Sequence, residues 1–196
     1  MMPVDTTPLR QFIHSVYRLK EADMEKFLEA WHPFACKRKT ILTAAGETER
    51  HLYFVLAGVQ RAFFIGDTDR QEATIVFTYP PSFSGVADSF LTQTPSKYFL
   101  ETLTRSSFLR TTYQQLDQLM NESSAIQRMV LQLSAFALKG VLERQIELQC
   151  FSAEEKFKTL LTRSPHVLQI IPHKYLASYL GIDATTFSKL LGSVRL

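Results

Sequence analysis

Apolar positions along this 196-residue chain change their spacing several times, and each change predicts a different kind of element. Over residues 7 to about 31, Leu9, Phe12, Ile13 and Val16 recur at helical intervals, and Met24, Phe27 and Leu28 form a second stripe after the acidic start at Glu21. Two helices that pack on the next part of the chain are expected there. From residue 34 to about 113 the spacing shortens to runs rich in Val, Ile, Phe, Tyr and Thr. Turn signals at Ala45-Gly46-Glu47, Gly66-Asp67 and Tyr79-Pro80-Pro81-Ser82 separate them. The pattern predicts strands over 40–42, 52–56, 60–65, 73–78, 98–104 and 107–112, enough to close a small antiparallel barrel or roll.

Between about 122 and 149 the pattern becomes one uninterrupted helix without proline. Ile126, Met129, Val130, Leu133, Phe136, Ala137 and Gly140 line one side of it, and Leu131, Leu138 and Leu142 another. Two apolar stripes on one long helix predict that one face buries against the chain itself and one meets a second subunit. The first set, with small Ala137 and Gly140 allowing close approach, is the expected dimer face. Ser152-Ala153-Glu154-Glu155 has the form of a capping box that opens a further helix, ending near Arg163.

The last stretch carries the sharpest functional signal. Leu176, Ala177 and Leu180 repeat at helical spacing, and Gly181 can take the left-handed conformation that stops a helix. Asp183 is placed to cap a second helix whose buried side is Phe187, Leu190 and Leu191. Thr185, Thr186, Ser188 and Lys189 are then left facing outward. Small hydroxyls and one cation suit a helix entering a DNA major groove, because they reach base edges and phosphates without holding the backbone away. A plain helical hairpin has the same core pattern.

Charge bears on that choice. From Arg163 onward the chain carries Arg163, Lys174, Lys189 and Arg195 against Asp183, a net of +3, which equals the formal charge of the whole chain. A neutral body with a basic end is the asymmetry expected of a protein that meets a polyanion. The remaining chemistry is sparse. Cys36 and Cys150 cannot build a disulfide framework, and His14, His32, His51, His166 and His173 lack metal-ligand spacing. No nucleophile, base and orienting group can be assembled, so no catalytic residue and no metal ligand is named and an enzyme is not expected. The amino-terminal residues lack a signal-peptide pattern and no apolar run approaches ~20 residues. A cytoplasmic location away from the membrane is expected.

Helices, then a β-roll, then a long helix, then two short helices around a glycine turn: in this order the parts resemble the Crp-Fnr family of transcription regulators. Residues 41–64, ILTAAGETERHLYFVLAGVQRAFF, are similar to the family's first roll hairpins, with turn glycines at Gly46 and Gly58, and residues 176–182, LASYLGI, match its helix-turn-helix core. The resemblance implies an α+β chain. An antiparallel β-roll of the cyclic-nucleotide-binding kind (a double-stranded β-helix) would occupy 1–120, a dimerisation helix 121–150 and a helix-turn-helix domain 151–196. It implies a homodimer that binds DNA through Lys174, Thr185, Thr186, Ser188, Lys189 and Arg195, responds to a small-molecule effector, and has RNA polymerase as a further partner.

Two departures qualify the resemblance. Cyclic-nucleotide-binding members grip the ribose with a glycine-glutamate pair and the phosphate with an arginine after a proline. Here the matching stretch keeps Gly85 but has Val86 for the glutamate, and Ser96 after Pro95 for the arginine. Cyclic AMP is therefore not expected to bind in the usual mode, since neither residue can satisfy the buried ligand. Gly85, Val86, Asp88, Thr92, Ser96, Lys97 and Tyr98 then line either a modified pocket for another effector or one filled by its own side chains. Secondly, the chain stops seven residues after Lys189, so the β-wing usual in the family is not expected. Two other classes remain: a sensor or adaptor on the same scaffold that does not bind DNA, and a cupin-like β-barrel enzyme, which would need clustered metal-ligating histidines.

Overall fold

A computed structural model describes residues 4–67 and 71–194. The chain forms two compact units that are not contiguous in sequence, one of residues 1–62 and 77–135, the other of residues 63–76 and 136–196. The long helix is thus divided between the units instead of forming a segment of its own.

In the first unit, α1 (Thr7–Val16) and α2 (Glu21–Glu29) precede the strands β1 (His32–Cys36), β2 (Ile41–Thr43), β3 (His51–Ala57), β4 (Gln60–Ile65), β5 (Glu72–Thr78) and β6 (Ser82–Ser84). The short helix α3 (Ala87–Thr92), β7 (Phe99–Thr102), β8 (Ser106–Thr112) and α4 (Tyr113–Glu122) come next. The strands make two four-stranded sheets, ordered β1-β8-β3-β6 and β2-β7-β4-β5. Residue alternation sends Tyr53, Val55 and Phe108 from the first sheet and Ala62 and Leu100 from the second into one shared core. This is the expected roll. Gly58 turns the β3–β4 hairpin at φ 93°, and a side chain there would collide with the Arg105 carbonyl and Ser106.

The opposite face of the first sheet presents Phe54 and Leu109 to Leu9, Ile13, Met24, Phe27, Trp31 and Leu116. Ile126 and Met129, from the start of the long helix α5 (Ser124–Cys150), complete this second core and are fully buried in it. These two residues of the expected dimer face are therefore covered by their own chain. Val130 and Leu133 also pack partly against this core, whereas Phe136, Ala137 and Gly140 are exposed. The continuous exposed stripe is instead the other one. Leu131, Leu138 and Leu142 are each more than half exposed, and Ile146 extends the line.

Helix α5 is also long and apolar enough, by length and composition alone, to cross a membrane. No such segment is expected from the sequence pattern. The apolar residues are spread around the helix and interrupted by Gln127, Gln132 and Ser134, so no single run stands out.

Three further elements carry little sequence signal. Strand β1 begins at His32-Pro33 and lies at a sheet edge, where proline is tolerated because its missing N–H faces away from the ladder. Strand β6 is only three residues long and also an edge. Helix α4 is polar, yet it opens with a full capping box between Thr112 and Gln115.

Truncation of a core residue on α5 separates its two roles. Ile126→Ala should lower the unfolding free energy by about 2–5 kcal/mol in urea denaturation while leaving the sedimentation coefficient of the folded protein unchanged.

Candidate nucleic-acid interface

In the second unit, α6 (Ala153–Arg163), α7 (Val167–Ile170), α8 (His173–Leu180) and α9 (Ala184–Ser193) come after the end of α5. Ser152 and Glu155 form the expected capping box at the start of α6. Phe157 and Leu161 of α6, Leu176, Ala177 and Leu180 of α8, and Phe187 of α9 are all buried, and the Phe157 and Phe187 rings meet edge-on at 5.4 Å. Of the three residues expected on the buried side of α9, Phe187 is enclosed, Leu190 is half-buried and Leu191 is exposed at the last turn.

The turn between α8 and α9 is built as its residues predict. Gly181 sits at φ 64°, ψ 36°, its N–H donates to the Ser178 carbonyl, and the Ile182 N–H reaches back to the Ala177 carbonyl at 3.1 Å. This pair of bonds is the Schellman closure of α8. Asp183 then caps α9: its carboxylate accepts from the Thr186 N–H at 2.8 Å and from the Thr186 hydroxyl at 2.6 Å. Those bonds hold the Asp183 carboxyl below the usual carboxylate range.

Thr185, Ser188 and Lys189 lie exposed on α9, while Thr186 is half-buried with its hydroxyl committed to the cap. The Ser188 hydroxyl donates to the Ala184 carbonyl at 2.9 Å. Lys174 is exposed on α8 and sits over the Tyr175 ring at 4.7 Å. Arg195 lies outside the described residues. Arg163, part of the basic end, is ion-paired to Glu147 at 2.6 Å and so contributes less free charge than its sequence position suggests.

Glu147 does not stand out in the sequence, where it is one of several acids late in α5. Its side chain is almost fully enclosed and accepts from Arg144 at 2.8 Å and from Arg163 at 2.6 Å. Arg144 also donates to the Tyr179 carbonyl at the end of α8 and lies 4.2 Å over the Tyr179 ring. A guanidinium there satisfies an orphan carbonyl and opposes the negative end of the helix dipole. These three residues fasten the end of α5 to α6 and α8. A bond from the Thr74 N–H of β5 to the Ser178 hydroxyl, 3.0 Å, joins the β4–β5 hairpin to the same unit.

Within the roll, the residues expected around a ligand pocket divide. Val86 is buried in the roll core, which Tyr98 joins, and Ser96 is buried with its hydroxyl bonded to both the N–H and the carbonyl of Tyr98. Gly85 is half-buried between β6 and α3, while Asp88, Thr92 and Lys97 are exposed. The structure therefore brings together part of the set as packing and leaves the rest on the surface. A carboxylate is nonetheless close to Val86: that of Glu49, buried, which accepts from the Val86 N–H at 3.3 Å, the His51 N–H at 3.1 Å and the Thr43 hydroxyl. Burial pushes the Glu49 carboxyl up against the lowering effect of those bonds. Among the described residues no group of three or more metal-ligating side chains gathers in one place.

Solved structures share this fold. FixK2 from Bradyrhizobium japonicum matches with a TM-score of 0.73 and 15% identity over 83% of each chain. CLP, described as a c-di-GMP-responsive global regulator of Xanthomonas campestris, matches at 0.64 and 18% identity over 88% of this chain and 90% of its own. A regulator from Eubacterium rectale assigned to the crp/fnr family matches at 0.66 and 15% identity over 89% and 82%. No family model and no curated protein matches the sequence. The chain has the fold of Crp-Fnr regulators.

The Glu147 joint has a defined pH signature. Burial alone would raise its pKa, but Arg144 and Arg163 outweigh that and hold the carboxyl below the usual range. Its stabilisation is accordingly complete above the unfolded value near ~4.3 and is lost as the pH falls through the lower folded value. Glu147→Gln should cost about 2 kcal/mol at neutral pH in thermal unfolding, and the gap to wild type should close as the pH falls below about 4.

Proposed function

We propose that this protein is a homodimeric DNA-binding transcription regulator of the Crp-Fnr kind. The observation that carries the reading is the helix-turn-helix itself: a Schellman-closed α8, a capped α9, and an outward face made of Thr185, Ser188 and Lys189. Thr186 helps hold the helix start in shape, and Lys174 and Arg195 are assigned to phosphate contacts. The likeness in fold to the regulators above supports the same assignment. A small-molecule effector acting through the roll, and RNA polymerase as a further partner, belong to this reading. Cyclic AMP held in the usual mode does not, because Val86 is packed into the roll core and the Ser96 hydroxyl is bonded to the Tyr98 backbone.

The second subunit is assigned to the exposed stripe of α5. Leu131, Ala135, Leu138 and Leu142 follow the alternating four-and-three spacing of a coiled-coil seam, and all four are exposed. Helix α5 is anchored at one end by Ile126 and Met129 and at the other by Glu147, each within a folded unit. That favours a partner helix over a lipid bilayer as the cover for its middle turns. Pairing would present two copies of α9 to one duplex.

Fluorescence anisotropy on a duplex selected from a random pool tests the DNA contact. Lys189→Ala should weaken binding and reduce the salt slope by about two for a dimer, one per subunit, and an unchanged isotherm would remove Lys189 from the interface. Sedimentation velocity tests the seam. Wild type should sediment as a dimer at micromolar concentration and the Leu138→Glu, Leu142→Glu double variant as a folded monomer. A wild-type monomer, or a variant that stays dimeric, would contradict the assignment.

A further inference from the structure

Strands β1, β3 and β8 carry a set of cationic and aromatic side chains on the inward face of the first sheet that the packing of the roll does not use up. Tyr53 lies directly opposite Arg110 across the β3–β8 ladder, and Arg110 lies opposite His32 across β1–β8. Alternation puts Arg110 on the same face as Phe108, and His51 on the same face as Tyr53 and Val55. The Arg110 guanidinium stacks 4.1 Å above the Phe34 ring, and the His51 and Tyr53 rings are 6.0 Å apart.

This cluster is short of anions. Neither Arg50 nor Arg110 forms an ion pair among the described residues, and the Tyr53 hydroxyl has no hydrogen-bond partner among them. The acid whose charge acts on Tyr53 is Glu49, and its carboxylate is committed to the His51 and Val86 amides and the Thr43 hydroxyl. Partial burial, then the fields of Arg110 and Arg50, hold His51 below its usual pKa, as expected beside positive charge that nothing neutralises. Phe34 covers the face of the Arg110 guanidinium and leaves its in-plane N–H donors, the geometry that takes an oxyanion in bidentate fashion.

We propose that Arg110, Tyr53 and His51, with Phe34 as platform, form a binding site for a small metabolite bearing a carboxylate or phosphate group. Arg110 would take the oxyanion, the Tyr53 hydroxyl would donate to it, and His51 would add a third donor when protonated. The site adjoins the Gly85–Tyr98 stretch, since Tyr53 pairs with Ser84 and packs with Val86 and Tyr98, but it takes its anion from β3 and β8 instead of from that stretch. It also sits beside the start of α4, which runs into α5: Arg110 is two residues before the Thr112 cap, and the Tyr113 N–H donates to the Arg50 carbonyl. An anion held here would therefore bear on the strand end from which α4 begins.

The test uses the full chain without DNA, so that its outcome is independent of the proposed DNA contact. The His51 imidazole would be followed by NMR in carbon-13-labelled protein, titrated separately with inorganic phosphate and with benzoate against chloride at matched ionic strength. A saturable shift with either probe, accompanied by a rise in the His51 pKa, is expected, and the tighter probe identifies the preferred group. Arg110→Gln should weaken that binding about ten-fold or more, Arg110→Lys less, and Tyr53→Phe several-fold with the ring packing kept. If Arg110→Gln fails to fold, Arg110→Lys and Tyr53→Phe provide the comparison. Equal responses to chloride and to both probes, or wild-type binding in the folded variants, would overturn the proposal.

Discussion

A single carboxylate, that of Glu147, lies between two guanidinium groups at the point where the long helix meets the short helices after it. Burying a lone carboxylate costs several kcal/mol, so Glu147 is tolerable only with Arg144 and Arg163 in place. Arg144 in turn reaches the Tyr179 carbonyl at the end of α8, one residue before the helix closes and two before Gly181. The direction in which α9 leaves that turn is thus tied through two side chains to α5. Any function that depends on where Thr185 and Lys189 point depends on this joint.

The roll fills with its own side chains the two positions at which the resemblance implies ligand contacts. Val86 lies in the roll core with Tyr53, Val55, Leu100 and Phe108, and Ser96 spends its hydroxyl on the backbone of Tyr98. An apolar side chain at the first position is stabilised by its own burial, without any ligand. Charge has not left the roll, however. It stands instead on the first sheet, where Arg110 lies over Phe34, and on Glu49, buried near Val86.

Much of the fold is legible in the sequence because its elements follow simple periods and caps. The glycine turn at Gly181, the Asp183 cap and the Ser152 capping box are each readable from a few neighbouring residues, since local hydrogen bonding decides them. The strands β1 and β6 are not, because edge strands need little alternation and β1 carries proline. Periodicity finds the two faces of α5 as stripes, but which one is covered depends on Phe54, Leu109 and α2, all distant in sequence. For the same reason periodicity alone turns Ile126 and Met129 outward in place of Leu131, Leu138 and Leu142. The Arg144–Glu147–Arg163 joint and the Arg110 cluster leave no sequence signal for a related cause: each joins residues from separate elements, and only three-dimensional pairing distinguishes them from ordinary surface charge.

The symmetry of the bound DNA most directly tests the central claim that two copies of α9, held by paired α5 helices, read one duplex. Sequencing duplexes that the protein retains from a random pool should return a two-fold symmetric motif whose half-site centres lie about one helical turn, ~34 Å, apart. Enrichment of a single unsymmetric site, or no enrichment above the input pool at low salt, would contradict the account.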